Sequence, residues 1–201
     1  MALLISFLPI LEFFSLIAPT MASLFILFGS FVNSDIKGLI YMAGLILSLG
    51  LGILLKPFFG GGTDLNTPTA CNLFSDSFPN SQYSNPSLDT LSLCFTFSYI
   101  IVPMIYNKTL NWPIVVSLLF AVIVNGFFRI KLNCNKPMDF VLGTLIGVLC
   151  GAGYYSLVSA YGGQKYTLFS RTESNNVRCD KPSDQKFKCV VYKNGEVLKQ
   201  L

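Results

Sequence analysis

Five apolar blocks, each long enough to cross a bilayer, dominate what this chain can fold into. They cover about residues 1–32, 38–55, 88–106, 112–128 and 140–161. A helix on the surface of a soluble protein carries its apolar residues as a stripe, whereas these blocks are apolar all round and need hydrocarbon or a deep core on every side. Too few charges remain to solvate a soluble domain: 12% of residues are charged, against about 25% in an ordinary soluble domain. The pattern excludes a soluble globular protein, a disordered chain and a small disulfide scaffold. It predicts an all-α integral membrane helical bundle of about five spans over residues 1–161. Residues 162–201 follow as a basic extramembrane tail.

The first block is interrupted by Pro9, Glu12 and Pro19. As one helix it would run about 48 Å, more than a hydrocarbon core of ~30 Å requires. It therefore reads as a short interfacial or tilted entry segment followed by a span ending near Val32; a split at Pro19 would give six spans. No basic residue precedes it, so a retained anchor is expected rather than a cleaved signal. Glu12 is expected at the membrane interface. The turns at 33–37, 107–111 and 129–139 are short, which predicts antiparallel neighbours. With five crossings, the loops at 56–85 and 129–139 share the face of the N-terminus, and the tail lies opposite. The loop face carries four basic residues (Lys56, Arg129, Lys131 and Lys136) and the tail face ten. The positive-inside rule then places the tail in the cytosol.

Gly143, Gly147 and Gly151 recur every four residues on the fifth block. That spacing puts them on one helix face, a seam where another backbone can approach, and Gly44 and Gly52 offer the second span a similar role. The tail differs in kind. Residues 186–192 have strand composition, Asn194-Gly195 is a type I′ turn signal, and residues 196–199 can return as a second strand. Cys179 and Cys189 flank this β-hairpin and would staple it as a disulfide. Cys71 and Cys134 lie in the two loops of the opposite face and form a second candidate pair; Cys94 and Cys150 lie within spans. An oxidising compartment serves one face only, so ordinary secretory oxidation cannot close both pairs. From Gly162 onward there are eight basic and four acidic residues, equal to the whole chain's net charge of +4. Such a tail suits anionic lipid headgroups or a protein partner. The basic residues form no nucleic-acid recognition module, and no nucleic-acid partner is expected.

Three clusters meet on the loop face. Lys56 is followed by Gly60-Gly61-Gly62 and Thr63-Asp64; Pro86-Ser87-Leu88-Asp89 opens the third span; Arg129, Asn135 and Asp139 lead into the fifth. Their order and spacing resemble the type-2 phosphatidic acid phosphatase superfamily of membrane lipid phosphatases. That family has a lysine, six residues, then Arg-Pro; next Pro-Ser-Gly-His at a helix start; finally Ser-Arg, five residues, His, three residues, Asp. Lys56, Pro86, Ser87, Arg129 and Asp139 match. Thr63-Asp64 replace the Arg-Pro, Leu88-Asp89 the Gly-His, and Phe128 the serine, while Asn135 stands at the last histidine. The resemblance implies a phosphatase-like bundle, with Asn135 in the nucleophile's place and Asp139 in that of its orienting carboxylate.

The departures remove the family's chemistry. An amide nitrogen has no available lone pair, so Asn135 cannot attack phosphorus. Asp89 places a negative charge where phosphate should bind. The chain contains no histidine, so no shifted alignment restores the covalent route. The expectation is a pseudoenzyme with no cofactor and no metal, in which Arg129 and Asp139 form a structural ion pair near Lys56 and Ser87. Lys56, Arg129 and Lys131 are also candidates for holding an anionic lipid headgroup. The tail resembles small C-terminal modules on virion membrane proteins of large nucleocytoplasmic DNA viruses, which form disulfides on cytosol-facing surfaces. That resemblance implies a structural or scaffold component of a virion's internal membrane, a minor capsid protein whose tail meets capsid proteins. The alternatives are an active lipid phosphate hydrolase and a transporter or channel; few intramembrane charges are available to line a path for the last.

Overall fold

The structure, a computed structural model, describes residues 7–60, 85–162, 166–168, 190–193 and 196–200. Among the described residues, five helices are long and apolar enough to cross a membrane. They are α1 (Phe7–Val32), α2 (Lys37–Phe59), α3 (Leu88–Tyr106), α4 (Trp112–Lys131) and α5 (Pro137–Gly162), the layout of a multi-pass integral membrane protein. The third span keeps its expected limits. The second, fourth and fifth run further than their apolar blocks, and this places Lys56, Arg129 and Asp139 inside helical end turns rather than in loops.

Pro19 does not divide the first block, and α1 passes through it unbroken. A proline has no amide hydrogen for the carbonyl four residues earlier, here that of Ser15. In hydrocarbon an orphaned carbonyl is costly. The gap is filled from α4: the fully buried Asn125 donates its Nδ2–H to the Ser15 carbonyl at 2.7 Å, and Ser15 Oγ donates back to the Val124 carbonyl at 3.2 Å. A tertiary hydrogen bond replaces the missing local one.

The central element is α3, with 67% of its apolar stretch buried against 33% or less in the other spans. Its main partner is α5, through the glycine seam. A Cβ on Gly143, Gly147 or Gly151 would stand 2.7, 2.5 or 2.6 Å from the carbonyl oxygens of Ser87, Leu91 and Phe95, one turn apart on α3. Gly44 serves similarly beneath the Tyr154 ring, and Gly52 against Leu91. Where α2, α3 and α5 meet, Tyr41, Phe95 and Tyr99 are fully buried beside Leu45 and Tyr155. Phe95 and Tyr99 stack at 5.9 Å. Tyr41 Oη and Thr96 Oγ1 share a hydrogen bond of 2.7 Å, and Tyr154 Oη donates to the Ile40 carbonyl at 2.8 Å, so these two tyrosine hydroxyls find partners on neighbouring helices.

Beyond α5 the chain does not leave the bundle at once. Thr167 is fully buried and Leu168 packs on the aromatic cluster, so part of the expected extramembrane tail belongs to the bundle's packing. Further on, β1 (Val190–Lys193) pairs antiparallel with β2 (Glu196–Gln200), with Val191 opposite Lys199 and Lys193 opposite Glu196. The Asn194-Gly195 turn and the Cys179–Cys189 staple lie outside the described residues, as does Cys71. Cys134 is disulfide-bonded, and Cys94 and Cys150 are free thiols in α3 and α5.

Candidate functional site

Four charged side chains converge where α2 and α4 end and α3 and α5 begin. Each stands on the helix end that favours its sign. Lys56 and Arg129 lie in last turns, near the partial negative charge of free carbonyls; Asp89 and Asp139 lie in first turns, near the partial positive charge of free amides. Lys56 and Arg129 are each 5% exposed and Asp139 is fully buried. Burial of this degree at a membrane end requires opposite charges close by.

The partners differ from the expected ones. Arg129 pairs with Asp89, Nη2 to Oδ2 at 2.7 Å, not with Asp139. The Asp139 carboxylate turns back instead to accept the Lys136 amide at 3.0 Å. It sits three positions after Lys136, at the third residue of α5, and so performs the reciprocal half of a capping box. A first-turn carboxylate that caps its own helix is held away from a neighbouring guanidinium. Lys56 interacts electrostatically with both Asp89 and Asp139. Two cations and two anions make the cluster neutral.

Polar groups hold this cluster to the α4–α5 turn. Asn135 Nδ2 donates to Ser87 Oγ at 2.5 Å, Thr90 Oγ1 donates to the same oxygen at 3.1 Å, and the Ser87 amide donates to the Asp139 carbonyl at 3.3 Å. The Asn135 and Cys134 amides both reach the Arg129 carbonyl, closing α4. Lys56, Ser87, Asp89, Arg129, Asn135 and Asp139 are thus brought together at one end of the bundle. Lys131 is not. Two residues beyond Arg129 it points to the other side of α4, exposed, with Nζ 5.9 Å from the centre of the Phe128 ring. Glu12 is half-buried on α1.

No family model, no curated protein and no solved structure matches this chain.

Asn135 offers an amide where imidazole chemistry would need a basic nitrogen, and one of its two N–H donors is committed to Ser87. Arg129, the group best suited to grip a phosphate, has a carboxylate against it. Beside Asp89 a cleft of about 260 Å³ lies between α1, α2 and α3, walled by Leu45, Leu49, Ile53 and Leu88 and reached by Ser92. Two contributors were not read from the sequence. Thr90 carried no signal beyond a hydroxyl in a first turn. Asp89 as the partner of Arg129 was legible in principle, since an acid at a helix start and an arginine at a helix end can be matched by dipole preference alone.

Proposed function

We propose that this protein is a non-catalytic, structural membrane component built on a degenerate lipid-phosphatase-like core. The observation that carries this reading is the Asp89 carboxylate on Arg129 at 2.7 Å. A phosphate ester would have to displace that carboxylate and lie beside it, exchanging a matched pair for a repulsive one. The remaining charges do not offset this, because Lys56 faces both Asp89 and Asp139. Neutrality equally disfavours capture of an anionic headgroup at this end of the bundle. What the cluster accomplishes is to bind four helix ends together, with each charge on the helix end that favours its sign and Asp89 paired to Arg129.

On this reading the partners are the bilayer and, for the basic tail, another protein. The resemblance of the tail to virion membrane proteins suggests the internal membrane of a large DNA virus, with the tail against capsid proteins. Purified protein supplied with phosphatidic acid or another lipid phosphate should release no phosphate above a protein-free control. Histidine-independent turnover that tracks the protein through purification would overturn the non-catalytic reading. Cross-linking of the assembled membrane or particle should capture a protein neighbour through Lys193 or Lys199; a tail that captures none removes the scaffold reading.

A further inference from the structure

At the opposite end of the bundle from the charged cluster, α1, α3 and α4 border a half-open cavity of about 510 Å³, within the range of roughly 300–1,000 Å³ typical of small-molecule sites. We infer that it holds one acyl chain of a phospholipid whose headgroup is zwitterionic and carries a primary ammonium.

The depth of the cavity fits one leaflet. Its lining runs on α1 from Ala22 to Ser30 and then to Asn33, and on α3 it reaches down to Thr96. Ala22 lies ten residues before the end of α1 and Thr96 ten before the end of α3. Ten helical residues span roughly 15 Å, half of a ~30 Å hydrocarbon core. The walls are apolar, with Phe25, Ile26, Ile100 and Leu118 among them. An empty space of this size would leave its lining without dispersion partners on one side. In a bilayer the neighbouring filler is an acyl chain.

The mouth selects the headgroup. Asp35 and Lys37 both border the cavity there, one of each sign, so an occupant with both signs is matched and a net anion is not. Lys37 is only 5% exposed and already has a partner within the protein; an ammonium carries three N–H donors, so another can serve a phosphodiester oxygen at the mouth. Asp35 is exposed and offers a carboxylate acceptor to a cationic group further out. A primary ammonium can donate N–H to that carboxylate, whereas a trimethylammonium has no hydrogen to donate. The turn carrying both charges is pinned to the end of α1. Ser30 Oγ donates to the Asp35 carbonyl, accepts the Gly38 amide at 2.9 Å, and the Ser30 carbonyl accepts the Asp35 amide at 2.9 Å.

Gly29 supplies the test. It lies in the cavity wall, and a Cβ there would meet nothing within 4 Å, so a larger side chain fills the cavity without a clash at its first atom. Native mass spectrometry of the full chain in detergent, titrated with phosphatidylethanolamine, phosphatidylcholine or phosphatidylglycerol of matched chains, reads occupancy directly. We expect one phosphatidylethanolamine per chain, bound about tenfold more tightly than the other two, the worth of one good charge-assisted hydrogen bond. Gly29→Leu should lose that lipid with helix content unchanged, and Asp35→Asn should bring phosphatidylethanolamine down to the phosphatidylcholine level. Equal binding of the three lipids, preference for phosphatidylglycerol, or undiminished binding to Gly29→Leu would overturn the inference. A photoreactive group at the end of the acyl chain decides the place in the unaltered protein. Adducts on Thr96, Ile100 or Leu118 support the cavity; adducts confined to lipid-facing side chains such as Phe127 and Leu149 overturn it.

Discussion

At Pro19 a local defect and a distant side chain answer each other. The Ser15 carbonyl that proline leaves without its helical donor is the one Asn125 bonds at 2.7 Å, so the two residues should be energetically coupled although they lie on different helices. Asn125→Ala should cost about 1 kcal/mol in detergent unfolding, between the average membrane hydrogen bond and the full penalty of an orphaned carbonyl. In a Pro19→Ala background, where residue 19 regains an amide hydrogen, that cost should fall by at least half; additive costs would show that the proline is not what Asn125 serves. The charged cluster allows a second residue-scale test. Because Arg129 pairs with Asp89 and Asp139 caps α5, a double-mutant cycle of Arg129→Met with Asp89→Asn should give a coupling of about 1 kcal/mol or more. The cycle with Asp139→Asn should give a clearly smaller one. Reversed magnitudes would reinstate the Arg129–Asp139 pair. The apposition of these residues was legible in their spacing. Their partnership was not, because it depended on which way each carboxylate turned once the helices had extended.

At the scale of elements, the α3–α5 contact rests on the absence of side chains. Gly147 faces the Leu91 carbonyl so closely that a methyl group would sit 2.5 Å from it, while Gly153, on the same helix, has nothing within 4 Å. Alanine has better helix propensity than glycine by about 1 kcal/mol. Gly153→Ala should therefore be neutral or slightly stabilising. Gly147→Ala should cost roughly 1–3 kcal/mol, because backbone atoms of α3 have to retreat. Unfolding of the two variants in one detergent makes the comparison, and equal behaviour would remove the seam as a packing device. The four-residue glycine repeat announced such a seam in the sequence. That its partner is α3, and that α3 is the buried centre, depended on how five helices share their surfaces.

For the molecule as a whole, five crossings place residues joined by the α4–α5 turn on one side of the membrane and those joined by the α3–α4 turn on the other. A cysteine introduced at Asn133 should react with a membrane-impermeant maleimide from one side only. One at Lys108 should react only from the other, in sealed vesicles of known orientation. Labelling of both from the same side would dismiss the five-span arrangement. The same crossings put the charged cluster and the lipid-sized cavity at opposite ends of the bundle. Variants of Asp89 should therefore leave lipid occupancy of the cavity unchanged.

The sequence by itself determined the apolar blocks able to cross a membrane, the limits of the third of them and the end of the bundle at which the polar residues gather. Those properties follow from the cost of placing uncovered backbone and charge in hydrocarbon, which acts on each segment separately. Only the tertiary structure decided that α1 would continue through Pro19, since the compensating donor is more than a hundred residues away in the chain. Only it decided that Arg129 would take Asp89 as its counter-ion, that Lys131 would stand apart, and that Leu168 would fold back onto the aromatic core. Each of these is a choice between partners of similar chemistry. Such choices are settled by distances that exist only after the helices have packed.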